Sequence, residues 1–392
     1  VAARCPEHAD EFFELIDDWR PTHIALDLVM PEMDGVEVLV ELARRRCTAK
    51  IIITSGVGTR VLDAAGRSAN EHGLSIAGVL SKPFSPSTLR ALLVEEAPPL
   101  NGGAGSPFAG HKSTASSLHA LSGEDLRRGL EAREFALALQ PQVHCTNGEL
   151  AGFEALARWN HPQLGLVGPD RFIALAETEG LIETLTDQIL DLAVDWFAAR
   201  FAATDLTISV NLSGRGTSRP SSAPADEASL VERISARCRA RSLQPENLIL
   251  ELTESSAMED PVASLDLLTR LRVKGFQLSI DDFGTGYSSM LQLVRLPFSE
   301  IKIDKSFVGT ATRSIESRAV VESIVNLGHT LGLRVVAEGV EDAPTLEYLR
   351  NAGCDLAQGY LIARPMPAGD ALAWVERETH RLPSRSAQRR LL

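Results

Sequence analysis

Three observations predict an α/β chain built on a (β/α)8 barrel. After residue 134, eight short apolar runs each end in a polar residue. Helix-period stretches separate most of these runs, and several close on Gly, the expected stop. A stretch rich in Pro, Gly, Ser and Ala, residues 96–122, sets this large region apart from a shorter unit, residues 1–95.

In the short unit, a helical stretch DEFFELIDDW precedes an apolar run that ends at Asp27 in RPTHIALDLVMPEMDG. A second run, KIIITSG, ends its strand at Thr54, and GVLSKPF carries Lys82 before Pro83. In the large unit, 123–382, the runs are FALALQ (135–140), LAGFEALAR (150–158), LTISVNLS (206–213) and LILELTE (248–254). FQLSIDD (276–282), SEIKIDKS (299–306), RVVAEGVE (334–341) and CDLAQG (354–359) complete the eight. Between them lie stretches of helical period such as LIETLTDQILDLAVDWFAARF, LVERISARCRAR and VVESIVNLGHTLG. Eight strands alternating with helices over this length fit a barrel, with a doubly wound open sheet as the alternative. Residues 214–227 read as a surface loop and 383–392 as a frayed tail.

Composition narrows the class. With 392 residues, 44% hydrophobic and 23% charged, the chain has ample core for two or three globular domains. A net charge of −13 gives no basic footprint for a nucleic acid polymer, and a phosphate substrate would need metal ions or local Arg and Lys to offset that field. The five cysteines are scattered without CxxC spacing, which argues for reduced thiols in the cytoplasm and against zinc. No apolar run is long enough to span a bilayer, so no membrane role is expected. The chain starts at Val1 without Met or a signal-peptide pattern, and is expected to be a piece whose start lies upstream.

In such a barrel the chemistry gathers at the C-terminal ends of the strands. Read in order, those ends are Gln140, Glu154, Asn211, Glu251, Asp281 with Asp282, Lys302, Glu338 and Gln358. Five carboxylates at one mouth would repel each other, and divalent cations are the simplest remedy. Oxygen ligands without His or Cys select Mg²⁺, Mn²⁺ or Ca²⁺ over Zn²⁺. Asp281 and Asp282, in SIDDFGTGYSSM, are expected to serve one centre because the strand ends there and the backbone turns. His161 reads as a turn residue, and Glu341 either serves the site or caps the following helix.

The motifs GFEALARWNHP, SVNLS, LELTES, IDDFGTGYSS, IKIDKSF, VAEGVE and QGYLIARPMP resemble, in order, those of the EAL-domain cyclic di-GMP phosphodiesterases. The resemblance covers 123–382 and implies a modified, TIM-like (β/α)8 barrel whose first strand runs antiparallel. It implies hydrolysis of cyclic di-GMP to linear 5′-pGpG with two ions, Mg²⁺ or Mn²⁺. Residue by residue, Glu154, Asn211, Glu251 and Asp281 match the ligands of a first metal, with Asp281 bridging to a second held by Asp282. Lys302 and Glu338 match contacts to the attacking water, Gln358 a neighbour of it, and Glu254 the residue that pins the loop after the Asp pair. Arg158 matches a contact to substrate phosphate, and Gln140 a further substrate-holding position. No metal-ligand position departs from the family pattern.

Residues 20–95 resemble the later part of a two-component receiver, a partial doubly wound, flavodoxin-like unit. Asp27, Thr54 and Lys82 match its phosphoacceptor, switch hydroxyl and phosphate-pairing lysine, with the bond before Pro83 expected to be cis. The first strand and its acidic pair are expected to lie upstream, since Asp17 and Asp18 sit in the helical stretch. A sensor histidine kinase and a homodimer are implied as partners. A non-catalytic nucleotide sensor is the alternative function, and a metal-dependent lyase acting on a carboxylate a third.

Overall fold

A computed structural model of the chain describes residues 3–6, 8–30, 33–56, 59–93, 121–213, 229–258, 261–285 and 290–377. Most of the linker, the loop at 214–227 and the tail lie outside the described residues. The chain forms two compact units, Val1–Leu126 and Arg127–Leu392, and the division falls inside the helix Gly123–Glu131.

The first unit carries three parallel strands, β1 (His23–Asp27), β2 (Lys50–Ser55) and β3 (Ser75–Ser81), in that spatial order. The central strand is buried along Ile51, Ile52 and Ile53, as a parallel strand covered on both faces should be. Helices Ala9–Trp19, Gly35–Arg44, Thr59–Glu71 and Pro86–Leu92 accompany it. Asp34 caps the second of these by accepting the Val36 and Glu37 amides, with Glu37 completing the capping box. Gly35 follows because a Cβ there would lie 2.5 Å from the Asp27 carbonyl oxygen.

The second unit contains β4 (Phe135–His144), β5 (Leu150–His161), β6 (Gly165–Val167), β7 (Thr207–Asn211) and β8 (Leu248–Thr253). Then come β9 (Gln277–Phe283), β10 (Glu300–Ile303), β11 (Arg334–Ala337), β12 (Leu356–Ala357) and β13 (Met366–Pro367). Eight of these close into a ring, β4-β12-β11-β10-β9-β8-β7-β5 and back to β4, with β6 and β13 as additions. Closure excludes the open-sheet alternative, and all eight predicted runs supply a ring strand. β4 is antiparallel to both neighbours, as the resemblance implies, and the other ring pairings are parallel.

Aromatic side chains seal the seam beside the reversed strand. Phe135 stacks on Trp159 at 5.3 Å, and Phe153 meets Trp196 edge-on at 5.3 Å. Burying each contributes roughly 1.5–3 kcal/mol. Outside the ring, the helices Ile182–Phe201 and Leu230–Ala240 are laced by ion pairs of Arg233 and Arg237 with Asp187 and Asp191. No helix among the described residues is long and apolar enough to cross a membrane. All five cysteines are free thiols.

Candidate active site

Lys302 lies in the middle of β10 with its side chain wholly buried. Its Nζ stands 2.6 Å from Glu338 Oε1, 3.0 Å from Glu251 Oε2, 3.3 Å from Asp281 Oδ1 and 3.4 Å from Glu154 Oε1. Burial alone would favour the neutral amine, yet the surrounding carboxylates outweigh it and hold the ammonium well above the ordinary lysine range. Burial pushes the Glu338 carboxyl up to about 8, with Asp281 and Glu154 adding to the rise and Lys302 opposing it. Burial likewise drives Glu251 well above the carboxylate range. Glu154 moves the other way. Burial raises it, but Lys302 and the side-chain hydrogen bonds of Gln358 and Asn211 offset this and hold it ionised.

Amides frame that carboxylate. Asn211, at the end of β7, donates from Nδ2 to Glu154 Oε1 at 3.2 Å. Gln358 Nε2 donates to Glu154 Oε2 and, at 3.0 Å, to Gln140 Oε1. Gln140 in turn donates to the Ala363 carbonyl at 3.1 Å. Gln142, absent from the sequence-based set, donates to Gln358 Oε1 at 2.9 Å. Its signal was available: it stands two residues beyond Gln140 on one strand, so the two share a face.

Two strand-end expectations need correction. Gln140 and Glu154 sit within β4 and β5, which run on to His144 and His161, because the first strand is reversed and forms a long hairpin with the second. The Asp pair is not at a strand end either. β9 continues to Phe283, and against β10 the register passes from Ile280↔Ile301 to Phe283↔Ile303, so Asp281 and Asp282 together oppose Lys302. This is a β-bulge, with Asp282 in the left-handed region at φ 54°. The bulge, rather than a turn, lets adjacent carboxylates serve one centre. Beyond it, Glu254 Oε2 accepts the Gly284 amide at 3.1 Å; Gly286 lies outside the described residues.

Arg158, four residues after Glu154 on β5, points to the same face and is half-buried, which lowers its pKa against the pull of Glu154. It donates to the Ala157 carbonyl at 2.8 Å. His161 is a buried turn-holder, its Nδ1 accepting the Gln163 and Leu164 amides at 3.2 and 3.1 Å. Asp342, not Glu341, caps the helix Ala343–Asn351, accepting the Thr345 amide at 2.8 Å.

The donor set fits divalent cations. Glu154, Glu251 and Asp281 each offer a carboxylate oxygen within 4.8 Å of one another, and Asp281, Asp282 and Glu338 form a second such group. Asp281 is common to both. Glu251 Oε1 is buried with no hydrogen-bond partner, an acceptor a cation would satisfy.

In the first unit, Asp27 and Thr54 are register partners at the C-terminal ends of β1 and β2. Lys82 Nζ forms an ion pair with Asp27 Oδ2, and the Lys82–Pro83 bond is cis. Thr54 is buried, and its hydroxyl donates to the Leu26 carbonyl at 3.4 Å.

Fold and site together define a (β/α)8-barrel protein with an acidic, metal-suited mouth, preceded by a receiver-type sheet. Residues 123–365 match the EAL domain family and residues 2–94 the response regulator receiver domain. The chain belongs to the EAL-domain family and carries a receiver domain at its N-terminal side. It is 36% identical over 341 residues to the cyclic di-GMP phosphodiesterase RocR of Pseudomonas aeruginosa, covering 87% of this chain and 83% of that protein. It is 46% identical over 255 residues to MucR of the same organism, a bifunctional diguanylate cyclase/cyclic di-GMP phosphodiesterase. That match takes in 64% of this chain but spans only 36% of MucR. A solved structure of a MucR phosphodiesterase in complex with cyclic di-GMP matches at a TM-score of 0.58 and 44% identity, over 63% of this chain and 98% of that one.

Proposed function

We propose that the chain is a cyclic di-GMP phosphodiesterase that opens the cyclic dinucleotide to linear 5′-pGpG and is regulated through its receiver. The observation that carries this reading is the barrel mouth: five carboxylates gathered around one buried ammonium, in a member of a family whose relatives act on cyclic di-GMP. With all five carboxylates ionised and Lys302 charged the cluster carries four net negative charges, which two divalent cations would neutralise while displacing the protons that burial favours on Glu251 and Glu338.

Mg²⁺ or Mn²⁺ would be held by Glu154, Asn211, Glu251 and Asp281, with a second ion on Asp281 and Asp282. Such a pair supplies Lewis acidity and lowers the pKa of a bound water. Glu338 would accept a proton from the attacking water, while the Lys302 ammonium, 2.6 Å from it, would orient that water. Gln358 and Asn211 keep the Glu154 carboxylate turned inward. Arg158 offers a guanidinium fork to a phosphodiester oxygen. Gln140 fixes Gln358 and the Ala363 carbonyl at the rim where substrate would rest. Glu254 ties the backbone after the bulge.

Asp27 would accept a phosphoryl group, with Lys82 pairing the phosphate and Thr54 sensing it, and a sensor histidine kinase would be the donor. A homodimer acting in the cytoplasm completes the proposal. Incubating the chain with cyclic di-GMP and Mg²⁺, then resolving products by chromatography, tests the activity. Formation of 5′-pGpG that stops on chelation is the expected result, and binding without turnover would make the barrel a sensor.

A further inference from the structure

One layer beneath the carboxylate cluster, the barrel is polar where branched apolar residues would be expected. Ser209, Ser279 and Glu300 each lie two residues before a site residue on their own strand, Asn211, Asp281 and Lys302, and so face the same lumen. Gln142 lies two residues after Gln140 on the reversed strand, which is also one layer deeper. All four are buried, with relative exposure of 0%. Ser209 Oγ, Ser279 Oγ, Glu300 Oε1 and Gln142 Oε1, together with Glu251 Oε1 above them, have no hydrogen-bond partner in the protein.

Leaving such a group unsatisfied costs about 1–3 kcal/mol, and the four beneath Glu251 would together cost more than a fold normally carries. Register places three of them in a row across neighbouring strands. Glu251 is the Cα partner of Ser279, Ser279 of Glu300, and Glu300 of Arg334. Strands stand roughly 4.8 Å apart, and a water lying between register partners at that spacing can hydrogen-bond to both. The row ends at Arg334, whose side chain is 36% exposed and which grips the other Glu300 oxygen at 2.6 Å. Arg334 opens β11 while Glu338 follows it, so the row reaches solvent about 13 Å down the strand from the catalytic mouth.

We propose that this layer is a water-binding site, a file of ordered water held by Glu251, Ser279, Glu300, Ser209 and Gln142 that feeds the site from the Arg334 end of the barrel. The inference rests on the phosphodiesterase reading for its purpose. Each turnover consumes one water: its oxygen bonds to phosphorus, the P–O3′ bond breaks, one proton goes to the 3′ oxygen and the other is released. A dinucleotide lying over the open mouth would obstruct resupply from above, and the file supplies it from behind.

The test combines a crystal structure of the wild-type chain with kinetics of two variants of equal size, Ser279→Val and Ser279→Thr. The expected density shows water bonded to Ser279, Glu300 and Glu251, absent in Ser279→Val. The valine variant should lose roughly tenfold in kcat at unchanged KM, and the threonine variant, with the same bulk but a hydroxyl, should recover most of it. A dry layer in the wild type, or a valine variant with full kcat, would overturn the proposal. If Ser279→Val does not fold, Ser209→Val and the wild-type water positions decide in the same way. A chain that hydrolyses no cyclic di-GMP but shows the waters would sink the functional reading and leave the hydration site standing.

Discussion

Lys302 meets four carboxylates from a position with no solvent contact, so each of those carboxylates is held by charge as well as by its strand. Removing Glu154 takes an oxygen from one cation group, removing Asp281 takes one from both, and either change leaves the ammonium less balanced. Glu154→Ala or Asp281→Ala should therefore lower kcat by about a thousandfold or more, roughly 4 kcal/mol, as measured by product formation at saturating Mg²⁺. Near-wild-type turnover in either purified variant would contradict the site. Glu254 accepts the Gly284 amide just beyond the Asp pair and so holds the bulge. Glu254→Ala should cost roughly 10- to 100-fold, the range seen for groups that orient ligands. A loss as deep as that of Glu154→Ala would place it on the metal instead. With only oxygen donors, Mg²⁺ and Mn²⁺ should support turnover, while Ca²⁺, with longer and looser coordination, should inhibit it. Equal rates with Ca²⁺ and Mg²⁺ would contradict the two-cation account.

At the scale of elements, two helices on the outside of the barrel are joined by a ladder of like spacing. Asp187, Asp191 and Asp195 repeat every four residues on the helix Ile182–Phe201. Arg233, Arg237 and Arg241 repeat at the same interval along the facing segment. Arg237 is the central rung, 15% exposed, 2.8 Å from Asp191 and 3.2 Å from Asp187. Isolated surface pairs contribute little, but this guanidinium bridges two carboxylates and its stem is packed. Arg237→Ala should lower stability by about 1 kcal/mol in a denaturant titration, with KM for cyclic di-GMP unchanged. No loss of stability would mean that packing alone joins these helices.

At the scale of the molecule, the two units have separate cores, Ile51–Ile53 in one and the barrel layers in the other. Separate cores unfold separately unless a large interface couples them. Calorimetry should show two transitions. A chain beginning at Leu121 should keep the upper or lower one intact and hydrolyse cyclic di-GMP within a few-fold of the full chain's unstimulated rate. Loss of all activity on that truncation would show that the barrel depends on the receiver for its fold.

The eight ring strands, the major helices and most of the side chains that the barrel mouth brings together were legible in the linear sequence, because strand and helix periods are local and these residues close or interrupt apolar runs. LILELTE and SEIKIDKS place Glu251 and Lys302 at strand ends, and their recurrence with the other strand-end residues is what marks them as a group. The reversal of β4 was not legible from periodicity, since an antiparallel strand has the same two-residue repeat as a parallel one; only the family resemblance implied it. The bulge at Asp281 and Asp282 depends on the partner strand, because an extra residue exists only relative to the neighbour it opposes. Ser209, Ser279 and Glu300 read as ordinary polar residues in apolar runs until ring closure aims them at one lumen. Local chemistry therefore determined which residues were candidates, and tertiary structure decided which of them meet and how, because burial, charge balance and register are properties of neighbours that the chain brings together only by closing the barrel.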